Sequence, residues 1–145
     1  MYLILTNYFQ VKHIKNLLAH KYFYLWLAEF WTLVIAFLCM VSFKKLPSIG
    51  ISGADKYVHF TFHFVFTLLW FLYFNTKNKN ESTVKLLFKV FLASLFYGII
   101  IEISQSLFTT TRQGDIFDVF ANASGSIVAV IIIFIYKYTT KKNSK

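Results

Sequence analysis

The chain is poor in cysteine, proline and acid. Its 145 residues include one cysteine, one proline and only six Asp and Glu together. Cys39 stands alone inside an apolar run, which excludes a disulfide framework and a cysteine-based metal site. The one proline, Pro47, falls in a connecting stretch. Charged residues make up 14% of the chain, against 57% hydrophobic and 21% aromatic. That balance excludes an ordinary soluble domain and makes the lipid bilayer the expected surroundings. The formal net charge of +9 is then best read as loop charge that sets topology and meets anionic headgroups. No nucleic-acid partner is expected.

What the chain does have is long apolar runs. A bilayer core of ~30 Å and a helical rise of ~1.5 Å per residue ask for about twenty residues per crossing. Four runs fit: Tyr22 to Phe43, Tyr57 to Phe74, Leu86 to Phe108 and Ile116 to Tyr136. The stretches KKLPSIGISGAD, NTKNKNESTVK and TTTRQGD separate them. The expected fold is therefore all-α, an integral membrane protein of four transmembrane helices. No internal repeat of the kind found in inverted-repeat transporters is visible. The first run is too long for the apolar core of a signal peptide and is read as an uncleaved span.

Three regions follow. Residues 1–21 carry Val11, Ile14, Leu17 and Leu18 on one helical face beside Lys12, Lys15, His13 and His20, as an amphipathic interfacial segment would; a partly ordered tail is the alternative. Residues 22–136 form the membrane domain, and residues 137–145 a basic tail. Lysine placement sets the expected orientation. Lys12, Lys15 and Lys21, then Lys77, Lys79, Lys85 and Lys89, then Lys137, Lys141, Lys142 and Lys145 all fall on one side. Lys44, Lys45, Lys56 and Arg112 fall on the other. Both termini are thus expected in the cytoplasm, in a multi-pass protein of the plasma or inner membrane.

The polar residues then concentrate at the outer end. Asp55 and His59 are four apart and stack on one face of the second helix, with His63 continuing it. Gly98, Glu102 and Gln105 share a face of the third. Asp115, Asp118, Asn122 and Gly125 fall within ~80° of one another on the fourth. A carboxylate near the middle of a span costs roughly 2.5–3.5 kcal/mol, so such groups turn toward the bundle or a wet cavity.

Each residue also has a purely structural reading. Asp115 suits an N-cap, and Asp118 three residues later suits the capping-box position. Ala121, Gly125 and Ala129 make a small-residue stripe for close helix packing, and Asn122 suits an interhelical clasp. His63 reads as a bonded structural histidine, and Arg112 as an outer anchor or a holder of an anion. Glu102 stands out because no cap or turn of its own helix needs it. Glu29 is expected as a hydrogen-bonded carboxyl turned into the bundle.

Taken together, DKYVHF, IEISQ and RQGDIFDVFANASG resemble the VanZ-like family of small integral membrane proteins, over roughly residues 50 to 130. The signature falls on Asp55, Lys56, His59, Glu102, Gln105, Arg112, Asp115, Asp118, Asn122 and Gly125. Ala129 stands where members often have a further glycine, and His63 and the first twenty residues lie outside the signature. The resemblance implies a four-helix membrane protein, and a link to low-level tolerance of the glycopeptide teicoplanin. It implies no established reaction.

Two functions compete for the outward site. One is a non-enzymatic envelope protein that binds a glycopeptide or lipid-linked ligand. The other is a membrane enzyme acting on a lipid or lipid-linked phosphate. There Lys56 and Arg112 would hold the head, His59 with Asp55 would act as base, and Glu102 or Asp118 as acid. A variant places one divalent ion on His59, Glu102, Asp118 and Asn122, a donor set suited to Mg or Mn. Transport ranks third, since four short spans leave little room for a pathway.

Overall fold

The structure, a computed structural model, describes residues 22–40, 53–109 and 115–143. Four helices account for nearly all of them: α1 (Tyr22–Met40), α2 (Ala54–Lys77), α3 (Thr83–Phe108) and α4 (Ile116–Asn143). All four are long and apolar enough to cross a membrane, and the described residues contain no strand. The all-α, four-span architecture is as expected. The amphipathic reading of residues 1–21 and the position of Arg112 lie outside the described residues.

Three of the helices overrun the apolar runs that announce them, while α1 is described only to Met40 of the run Tyr22 to Phe43. α2 extends three residues beyond each end of Tyr57 to Phe74. α3 starts at Thr83 rather than Leu86. α4 continues past Tyr136 to Asn143, so most of the basic tail is helical. Apolarity reports how deep a residue lies. Helicity needs only the backbone ladder, and lysine is a good helix former whose stem can lie along apolar surface.

Local chemistry sets the ends. Gly53 precedes α2 at φ 77°, a left-handed conformation that glycine reaches without a Cβ clash. Its carbonyl accepts from the Lys56 amide at 3.0 Å. Ser82 caps α3, its hydroxyl oxygen accepting from the Lys85 amide at 3.4 Å. Between α2 and α3, Glu81 accepts from both Lys89 and Asn78 and closes the turn.

The core has two apolar layers. Phe71, Leu86, Leu87, Val90 and Ile133 pack toward the α2–α3 turn, and Ile35, Cys39, Phe66 and Ile101 join α1 to α2 and α3. Many other large apolar side chains, Phe37, Phe96, Phe120 and Ile131 among them, point outward, as expected where lipid is the solvent. Because lipid gives helices no hydrophobic reason to associate, hydrogen bonds and close packing matter more. On α1, the Trp31 indole donates to the Phe62 carbonyl at 3.0 Å. The Tyr97 hydroxyl donates to the Thr32 carbonyl at 2.6 Å. Glu29 does not turn into the bundle as expected. It is exposed on α1, because the face that packs inward is the one carrying Ala28, Ile35 and Cys39.

Close packing is tightest between α2 and α4. A Cβ placed on Gly125 would lie 2.1 Å from the Phe60 carbonyl oxygen, so only a glycine lets these two backbones meet. Ala129 of the same stripe is fully buried.

Candidate functional site

The start of α2, the end of α3 and the start of α4 come together at one end of the bundle. Nearest the surface, the Lys56 ammonium lies 3.1 Å from Asp115 Oδ2, 3.3 Å from Asp55 Oδ2 and 3.4 Å from Asp118 Oδ1. Two of these carboxylates, Asp55 and Asp118, are in the first turns of α2 and α4, where the helix dipole favours negative charge. Lys56 is half-exposed, so this outer layer opens to the surroundings.

Beneath it the cluster is closed. His59, Glu102 and Asp118 are all buried. His59 Nδ1 is 3.5 Å from Glu102 Oε1, and His59 Nε2 is 3.8 Å from Asp118 Oδ2. Asn122 Oδ1 accepts from His59 Nδ1 at 3.1 Å. One helix each supplies the histidine, the glutamate and the aspartate, and their ligand-type atoms lie within 4.8 Å of one another.

Two pairings differ from those that spacing suggests. Asp55, one turn from His59, was expected to back the imidazole. It is exposed and meets Lys56 instead, while Glu102, Asp118 and Asn122 from other helices surround the ring. Asp118 was expected in a capping box, reaching back to the Asp115 amide. That amide donates to Glu102 Oε2 at 3.2 Å. Glu102, which no element of its own helix needs, is thus a cap supplied across the bundle to α4. Its other oxygen, Oε1, is buried without a hydrogen bond.

The remaining signature residues divide. Asp115 caps α4 as expected, Oδ1 accepting from the Phe117 amide at 2.9 Å. Gln105 leaves the cluster and donates to the Cys39 carbonyl at 3.0 Å, tying α3 to α1. Gly125 serves the α2–α4 crossing. Arg112 lies outside the described residues.

Sequence reasoning missed a second polar layer. His63 Nδ1 and the Ser94 hydroxyl are 2.8 Å apart, Ser94 and Ser126 hydroxyls 2.7 Å, and Ser126 donates to the Asn122 carbonyl at 3.1 Å. All are buried. The available signal was a small hydroxyl residue on each of α3 and α4, both of the class that joins helices in lipid.

Asp115 carries a pH expectation. Its carboxyl is held below the usual aspartate value of 3.8, first by the Phe117 amide and then by the Lys56 ammonium. A lowered folded value means the cap stabilises fully above that ordinary value and loses its effect as pH falls through the lowered one. Asp115→Asn should therefore lower the thermal midpoint in detergent by a constant amount at neutral pH. The gap from the wild type should close only in strong acid. A gap that closes near pH 6 would assign the effect elsewhere.

Four lipid-suited helices around a polar cluster at one end define a multi-pass helical membrane protein. The sequence matches the VanZ/LLP1 family over residues 1–137, and the chain belongs to that family. The match extends beyond the signature on both sides and takes in the first twenty residues. No curated protein and no solved structure matches this chain.

Proposed function

We propose that this VanZ-family membrane protein serves the cell envelope, with the Lys56–His59–Glu102–Asp118 end facing outward and both termini in the cytoplasm. At that end it binds the polar head of a lipid-linked envelope ligand. Modest tolerance of teicoplanin, a drug that acts on envelope precursors outside the membrane, is the expected consequence. One observation carries the reading. A half-exposed layer around Lys56 lies directly over a buried His59–Glu102–Asp118 cluster, which gives an open mouth and a recognition floor. The lysine imbalance between loops supports the orientation.

The test is drug susceptibility in a Gram-positive host expressing the wild type, Glu102→Gln or Asp118→Asn at equal levels. Teicoplanin tolerance should appear with the wild type and disappear with both variants. No shift with the wild type would remove the glycopeptide part of the proposal.

A second reading rests on His59 Nε2 at 3.8 Å from Asp118 Oδ2. An imidazole beside a carboxylate is the pair a phosphate-directed membrane enzyme would use for proton transfer. Turnover of a lipid phosphate by purified protein would favour it. A panel of such substrates left intact would set it aside.

A further inference from the structure

Among the described residues, the charges of the cluster do not balance for a phosphate ligand. Asp55, Asp115 and Asp118 share a single ammonium, that of Lys56, and Glu102 lies beneath them beside His59. Of these groups, a phosphate would meet mostly carboxylate.

The atoms that are left over point to what is required. Asn122 Oδ1 can only accept, so His59 Nδ1 donates to it and Nε2 keeps its lone pair. That nitrogen looks toward Asp118 Oδ2. Glu102 Oε1 is buried in a residue 5% exposed and has no donor. Electron-rich groups from three helices thus converge, with ligand-type atoms within 4.8 Å of one another. Divalent ions of the magnesium class bind oxygen at about 2.0–2.1 Å, which puts ligand atoms about 3–4 Å apart. The His59 Nε2–Asp118 Oδ2 separation, 3.8 Å, is already in that range, and Glu102 Oε1 lies 3.5 Å from Nδ1 of the same ring. Asn122 holds the imidazole by its other nitrogen, as outer partners of metal-bound histidines do. Glu102 is held in turn through Oε2 by the Asp115 amide, leaving Oε1 free to coordinate.

We propose that His59, Glu102 and Asp118 bind one divalent cation of the Mn2+ or Mg2+ kind, whose open positions take a phosphate oxygen of the lipid-linked ligand. One imidazole among oxygens suits these ions better than a sulfur- or imidazole-rich ion site would. Three protein ligands leave coordination positions open for the ligand. Lys56 then neutralises Asp115 Oδ2 and Asp118 Oδ1, while the cation neutralises Asp118 Oδ2 and Glu102 Oε1. The phosphate half of the proposal rests on the ligand-binding reading above; the cation half does not.

The experiment is Mn2+ titration of the full chain in nanodiscs, read by electron paramagnetic resonance with 14N and 31P hyperfine detection. The expected result is one Mn2+ per chain with a 14N coupling from the His59 imidazole. Glu102→Gln, whose amide oxygen can still accept from the Asp115 amide, should weaken binding by at least the roughly tenfold that loss of an outer partner costs. Glu29→Gln, on the exposed face of α1, should leave it unchanged. Absence of bound Mn2+, or bound Mn2+ without 14N coupling in the wild type, overturns the cation site whatever the variants do.

A polyprenyl phosphate in the nanodisc should add a 31P coupling, and inorganic phosphate alone should not match it at equal concentration. Lipid binding that persists unchanged in EDTA overturns the bridging role and leaves the ligand-binding reading standing. A nitrogen-coupled Mn2+ with no lipid binding does the reverse: it supports the cation and sinks the ligand.

Discussion

Gly125→Ala is expected to be the most damaging single methyl addition in the chain. Its Cβ would sit 2.1 Å from the Phe60 carbonyl oxygen and 2.9 Å from the carbonyl carbon. Those are backbone atoms of α2, so no rotamer change relieves the clash and the two helices must part. Parting them also spreads the elements that carry His59 on one side and Asp118 and Asn122 on the other. Overpacking usually costs roughly 1–3 kcal/mol, occasionally more, and a backbone clash belongs at the top of that range or beyond. Gly98→Ala provides the comparison. Its Cβ would meet Asn122 Nδ2 at 2.9 Å and His63 Cε1 at 3.1 Å, both side-chain atoms. It should fall toward the lower end of the same range. Denaturant titration of both variants in detergent, followed by the fluorescence of Trp31 and Trp70, orders the two. Equal losses would mean that α2 and α4 can slide past one another at this crossing.

The second large effect belongs to Asn122→Ala. Asn122 is 1% exposed, and its side chain joins α4 to α2 through His59. Truncation leaves a buried imidazole donor without its acceptor and opens a void beside Gly98. An orphaned donor costs about 1–3 kcal/mol, and interhelical bonds in membranes average about 0.6 kcal/mol. With the cavity added, the expected loss is about 2–4 kcal/mol. The same change frees the His59 ring to rotate away from Asp118 and Glu102, so ligand binding should fall further than stability alone explains. Asn122→Asp separates the two effects, since a carboxylate keeps the acceptor for His59. If Asp restores ligand binding without restoring stability, the ring's orientation is the functional contribution. A full recovery of both would make Asn122 a clasp and nothing more.

Much of the site could be read before any contact was known, because burying polarity in lipid is expensive. Glu102 and Asp118 had to turn inward for that reason alone, and both are buried. The cost of exposure says which residues face the bundle. It does not say which partner each one finds. Asp55 lies one turn from His59 on the same helix, yet it meets Lys56, while residues 43, 59 and 63 positions away along the chain surround the imidazole. Likewise the capping-box spacing of Asp115 and Asp118 is genuine, but Glu102 reaches the Asp115 amide first. Gln105 belongs to the signature and shares a face with Glu102, but it is spent on the α1 backbone.

The sequence by itself determined the four crossings, the all-α class, the crowding of carboxylates at one end and the small-residue stripe on α4. These follow from properties summed along a single helix: apolar length, charge placement and periodicity. Only the tertiary structure decided that α2, α3 and α4 each contribute one atom to a common point, and that Glu102 both caps α4 and aims a free oxygen at His59. Such pairings depend on the rotation and depth of one helix against another. Those are set by contacts such as Gly125 against Phe60, where a single missing methyl group fixes the approach of two backbones.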